Sequence, residues 1–204
     1  LVEADEDNRP LLVGERSNVI GSRKFKRLIA DEKFEEASEI ARAQSKAGAH
    51  VIDVCLADPD RDEMDDMVRF LEQVVRKVKL PLMIDSTDAA VIEHALTYSQ
   101  GKALINSINL EDGEERFEQV VPLATRYGAA LVVGCIDEDP EQGMAVTRQR
   151  KVEIARRSYD LLTQKYGVRP EDIVFDPLVF PCATGDENYV GSAEETIEGL
   201  RLIK

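Results

Sequence analysis

Short apolar runs in this chain repeatedly end on residues that can accept hydrogen bonds. PLLVGER (10–16) leads into Glu15, Arg16 and Asn18, HVIDVC (50–55) carries Asp53, and PLMIDST (81–87) closes on Asp85 and Ser86. KALINSI (102–108) contains Asn106 and Ser107, and DIVFDPLVF (172–180) contains Asp176. A carboxylate on a core strand is costly unless a partner offsets its lost hydration. It can accept two parallel N–H bonds from an amidine-like edge, as it does from an arginine fork. An Asn amide beside it can read mixed donor and acceptor positions. Asp, Asn and Ser also favour helix N-caps, and Asp88 reads as a cap alone. Asp85 and Asp176 sit directly on apolar strands, so capping does not account for the whole series.

The elements that carry these residues alternate. Each apolar run precedes a segment of helical spacing: 34–49 after the first, 62–78 after HVIDVC, 88–98 after PLMID, and 113–128 after KALINSI. AALVVGCI (129–136) precedes 147–167, and DIVFDPLVF precedes 192–204. Gly48, Gly128 and Gly167 stand where helices should stop. Six β-then-α units with short connections predict a parallel sheet in sequence order. The strands read as continuous apolar runs, which implies cover on both faces. No G-x-G-x-x-G follows the first strand, so a dinucleotide-type doubly wound sheet is disfavoured. Polar residues at strand after strand favour an α/β (β/α)8 TIM barrel, whose site gathers at the C-terminal strand ends. Strands are expected near 11–15, 50–54, 81–85, 103–107, 130–134 and 172–176.

Composition excludes some partners. With 26 Lys plus Arg against 40 Asp plus Glu, the net charge is −14, which disfavours nucleic acid and anionic membrane. No apolar stretch is long enough to span a membrane, and LVEADEDNRP is not signal-like. Cys55, Cys135 and Cys182 match no zinc pattern and read as small core-filling thiols of a reduced, cytoplasmic protein. His50 and His94 have no metal-ligand neighbour at i±4, and neither is assigned to catalysis. TRQRK (147–151) reads as a solvated helix start with local ion pairs. Tyr98, Tyr127 and Tyr166 read as packing residues with outward hydroxyls.

In a barrel the strand-end acceptors converge on one mouth with few cations. Such a mouth suits a neutral, flat ligand rich in N–H donors, and the 2-amino and ring N–H of a pterin present that edge. VGERSN, GAHVIDV, MIDST, INSINLEDGEERF, YGAALVV, TRQRK and FDPLVFPCATGDE occur here in this order. Together they resemble the pterin-binding (folate) domain of the cobalamin-dependent methionine synthases, over residues 11–204.

The resemblance implies a (β/α)8 barrel holding 5-methyltetrahydrofolate, with Asp85, Asn106 and Asp176 on the pterin edge. It implies further that Asp53 belongs to a polar network near N5, and that Glu15, Asn18 and Ser107 help to shape the site. The implied reaction passes the N5-methyl to cob(I)alamin carried by a separate domain, and then to homocysteine on another. Zinc is expected only in that homocysteine domain. The alternatives are a folate-to-corrinoid-protein methyltransferase and a non-catalytic pterin-binding module. Dihydropteroate synthase shares the fold and the pterin edge but requires cationic pyrophosphate-binding loops, which are not evident here.

Two departures from the family pattern stand out. Cys55 occupies a position where many relatives have Asn. Only six of eight βα units are counted, without the seventh-strand Asn that the family places near N5. Residues 1–10 read as linker and 11–204 as a pterin-binding domain truncated before its last two units. Residues 1–204 alone are therefore expected to bind folate poorly and to associate through open sheet edges.

Overall fold

The computed structural model describes residues 10–204, so the linker assigned to 1–10 lies, Pro10 apart, outside the described residues. Six strands form one sheet in the order β1-β2-β3-β4-β5-β6, with no reversal point. The described residues divide into two compact units, 10–106 with 127–129, and 107–126 with 130–204.

In the first unit, β1 (Val13–Gly14) pairs parallel with β2 (Val51–Val54), and β2 with β3 (Leu82–Asp85). Strand β3 then pairs parallel with β4 (Leu104–Leu110), which sets Asp85 opposite Asn106. Every residue of β2 is buried, as expected of a strand covered on both faces. The sequence reading placed one helix after β1, whereas the chain forms two, α1 (Arg23–Ala30) and α2 (Phe34–Lys46). Ser22 caps α1 by accepting from Phe25 N, and buried Phe25 meets Phe70 edge-on at 4.9 Å. Phe70 belongs to α3 (Glu63–Lys77), whose acidic first turn and basic last turn both suit the helix dipole. Asp88 caps α4 (Ala89–Leu96), accepting from Ala90 and Val91 N.

The second unit holds the end of β4, α5 (Glu115–Tyr127) but for its last residue, β5 (Ala130–Asp137), α6 (Arg148–Asp160), β6 (Ile173–Asp176) and α7 (Ser192–Ile203). β5 pairs parallel with β6, with Gly134 opposite Asp176. Cys135, Ala145, Ile154 and Ala155 form a buried cluster against Phe175 and Ile203. Gly48, Gly128 and Gly167 all take positive φ, the left-handed geometry that lets a helix stop there at little steric cost.

Four expectations need correction. Strand β6 is not covered on both faces: Val174 and Asp176 are exposed. Cys182 is exposed rather than core-filling, while Cys55 and Cys135 are buried. TRQRK is a helix start, capped by Thr147, but it is not a solvated one, because Lys151 is fully buried. Arg150 packs inward as well and donates to both oxygens of Asp137, itself buried. Tyr166 also departs from an outward hydroxyl, since it donates to Glu114 at 3.0 Å. No helix among the described residues is long and apolar enough to cross a membrane.

Candidate functional site

The first loop is set by a close approach at Gly14. A Cβ there would stand 2.8 Å from Gln44 Oε1, so only glycine lets the Gln44 amide reach this backbone. Gln44 Oε1 accepts from Arg16 N at 2.7 Å, and its Nε2 donates to Ser17 Oγ at 3.0 Å. Backbone bonds from Val19 N to Cys55 O and from Cys55 N to Ser17 O then dock the loop along the end of β2. Asn18 is thereby delivered beside the second strand end.

The orientation of the Asn18 amide is fixed by its surroundings. Its Oδ1 accepts from Ile20 N and Gly21 N at 2.8 and 2.9 Å, so the NH2 must face the other way. Asn18 Nδ2 donates to Asp53 Oδ2 at 3.0 Å and to Asp85 Oδ2 at 3.2 Å. One amide group therefore bridges two carboxylates on neighbouring strands. The other oxygen of Asp53 is buried, with no hydrogen-bond partner among the described residues.

Burial pushes the Asp53 carboxyl up from 3.8 to about 7, opposed by the Asn18 hydrogen bond and reinforced by the charges of Asp85 and Glu15. Asp85 is raised too, chiefly by burial, while hydrogen bonds from Asn18 and the Cys55 thiol favour its ionised form. Burial pushes the Cys55 thiol up to about 12, so it stays protonated. At neutral pH Asp53 can hold a proton beside Asp85. The arrangement is an acceptor facing donors, next to a buried acid that can give or take a proton.

Of the residues singled out from sequence, Asn18, Asp53 and Asp85 meet directly, Asn106 stands in register with Asp85, and Glu15 acts on both aspartates through its charge. Ser107 and Asp176 belong to the second unit. There the Ser107 carbonyl accepts from Arg116, and Asp176 Oδ1 accepts from Leu178 N at 2.9 Å. Sequence reasoning missed Gln44. A glutamine within a helix carries no local mark of a loop contact 27 residues away. Among the described residues no group of three or more His, Cys, Asp or Glu is placed to hold a metal ion.

Comparison with known proteins bears on family and fold. The chain is 38% identical over 202 residues to the methionine synthase of Mycobacterium tuberculosis, covering 98% of this chain but 17% of that protein. The dihydropteroate synthase of Thermus thermophilus superposes with a TM-score of 0.62 at 25% identity, covering 96% of this chain and 69% of that one. A dihydropteroate synthase of Xanthomonas albilineans, solved with 4-aminobenzoic acid, gives a TM-score of 0.64 at 16% identity over 96% of this chain and 69% of that one, a likeness of fold alone. The model for pterin binding enzymes matches residues 14–203, and the chain belongs to that family.

Proposed function

We propose that this chain binds 5-methyltetrahydrofolate and presents its N5-methyl for transfer to cob(I)alamin in methionine synthesis. The observation that carries the reading is the pair Asp53 and Asp85 bridged by Asn18, with Asn106 in register beside Asp85. Asp85 and Asn106 offer acceptors to the amino-pyrimidinone edge. Asp176, and with it Ser107, are assigned to the same ligand by the motifs they share with methionine synthases. Glu15 and Asn18 shape the first loop, and Asn18 holds both aspartates in place.

The chemical difficulty is the leaving group. A tertiary amine releases a methyl only when its nitrogen gains a proton or strong hydrogen bonding by the transition state. Asp53 is buried and half-protonated near neutral pH, which suits a polar network that supplies this at N5. No residue of this chain needs to form a covalent intermediate. The corrinoid belongs to a separate domain, where it supplies the nucleophile. Homocysteine and its zinc belong to a further domain, and the setting is cytoplasmic. These partners follow from the likeness to methionine synthase, of which the chain spans about a sixth.

The test, made on the full-length protein, is methyl transfer from 5-methyltetrahydrofolate labelled on the methyl to free cob(I)alamin. Formation of labelled methylcobalamin is the expected result. Tight folate binding with no transfer would leave a binding module, and no binding would remove the reading altogether.

A further inference from the structure

Lys151 is fully buried, and among the described residues none of its side-chain hydrogen bonds goes to a carboxylate. Its Nζ donates to Ala145 O at 2.8 Å, Pro177 O at 2.5 Å and Leu178 O at 3.2 Å. Three carbonyls match the three donors of an ammonium, which is how a lysine can stay inside a core. Two of the three carbonyls belong to the residues directly after Asp176.

These contacts fix the geometry of the strand end. Leu178 takes φ of 63°, a conformation that a leucine adopts only when its surroundings impose it. Its carbonyl is gripped by Lys151 and also by Thr196 Oγ1 at 3.0 Å, while its N–H donates to Asp176 Oδ1 at 2.9 Å. The residue that Lys151 holds is therefore the residue that pins the Asp176 carboxylate. The ammonium also lies 5.1 Å from the centre of the Phe180 ring, which stacks on Tyr189 at 4.9 Å. The side chain reaches the turn past Gly199 of α7, where a Cβ would stand 2.9 Å from Lys151 Cδ.

We infer that Lys151 is a positioning residue for ligand binding, acting through the Pro177–Leu178 turn to aim the Asp176 carboxylate. The inference rests on the reading of Asp176 as a pterin contact. A lysine that served only stability would have no reason to lose its effect when Asp176 is changed.

The experiment is a double-mutant cycle on 5-methyltetrahydrofolate affinity in the full-length protein, by calorimetry, with circular-dichroism melts to show that each variant folds. Lys151→Met is expected to weaken binding on the order of ten- to a hundredfold, the scale of a misplaced binding group. Asp176→Asn should weaken it at least as much, and the double variant should bind no worse than Asp176→Asn alone. Additive losses, or parental affinity in Lys151→Met, overturn the inference. Should Lys151→Met not fold, Gly199→Ala displaces the same side chain, and the same cycle with Asp176→Asn decides the matter. Asp85→Asn separates the two levels. If it weakens binding while Asp176→Asn does not, only the inference about Lys151 and Asp176 falls. If neither weakens binding, the pterin reading falls with it.

Discussion

Asp53 and Asp85 accept hydrogen bonds from the same nitrogen, Asn18 Nδ2, at 3.0 and 3.2 Å. Each carboxylate thus receives one N–H from a group that cannot move, because Asn18 Oδ1 is held by two backbone N–H groups. Two carboxylates so close in a buried setting resist ionising together, and the deeper of them, Asp53, is the one that burial pushes up to about 7. Structure and protonation are therefore tied through a loop residue on neither of the two strands that carry the acids.

Asn18→Ala is expected to destabilise the protein by about 2 to 4 kcal/mol, since it strips a donor from buried Asp53 and half-buried Asp85 and an acceptor from two backbone groups. Urea unfolding at neutral pH measures it. A loss below about 0.5 kcal/mol, the size of an ordinary surface substitution, would mean that the bridge contributes nothing.

Asp85→Asn keeps the size of the side chain but not its pattern. If the new amide turns its oxygen to Asn18, its NH2 confronts the donor edge of the ligand, and the opposite flip sets it against the Asn18 NH2. Either way one donor meets another, and pterin binding should weaken by about 2 to 5 kcal/mol. Calorimetry with 5-methyltetrahydrofolate reads this directly, and unchanged affinity would reject the assignment of Asp85.

Asp53 also makes stability depend on pH. Its carboxyl is raised on folding from 3.8 to about 7, so between these values the folded protein holds a proton that the unfolded chain has released. Its contribution therefore falls as pH rises from about 4 to 7, and levels off above that. Asp53→Asn does not titrate, so its stability relative to the parent should increase across this window, by on the order of 4 kcal/mol at most. Denaturation at pH 5 and pH 8 provides the comparison, and a difference that does not change with pH would show that Asp53 titrates normally.

The thiols should separate by reactivity. Burial pushes Cys55 up to about 12 and Cys135 up to about 11, whereas Cys182 is exposed. One thiol is expected to react with a disulfide reagent in the native protein at pH 8, and all three in urea. Rapid native labelling of Cys55 would contradict its buried place beside β2.

Much of the organisation was legible from local pattern. The six strands lie within a few residues of the apolar runs, the glycine stops take positive φ, and Asp88 caps its helix, because burial period, backbone freedom and capping act over a turn or two of chain. The sequence also marked Asn18, Asp53, Asp85, Asn106 and Asp176 as strand-end acceptors. It could not say that one Asn18 amide joins Asp53 to Asp85, that Gln44 holds the loop delivering it, or that Cys182 lies outside while Cys55 lies within. Nor could it show that the last residue of TRQRK is a buried ammonium closed over by three carbonyls. Those outcomes depend on which distant segments exclude water from a given side chain. Desolvation, which moves Asp53 toward neutral pH and obliges Lys151 to find carbonyls, exists only once the tertiary packing is complete.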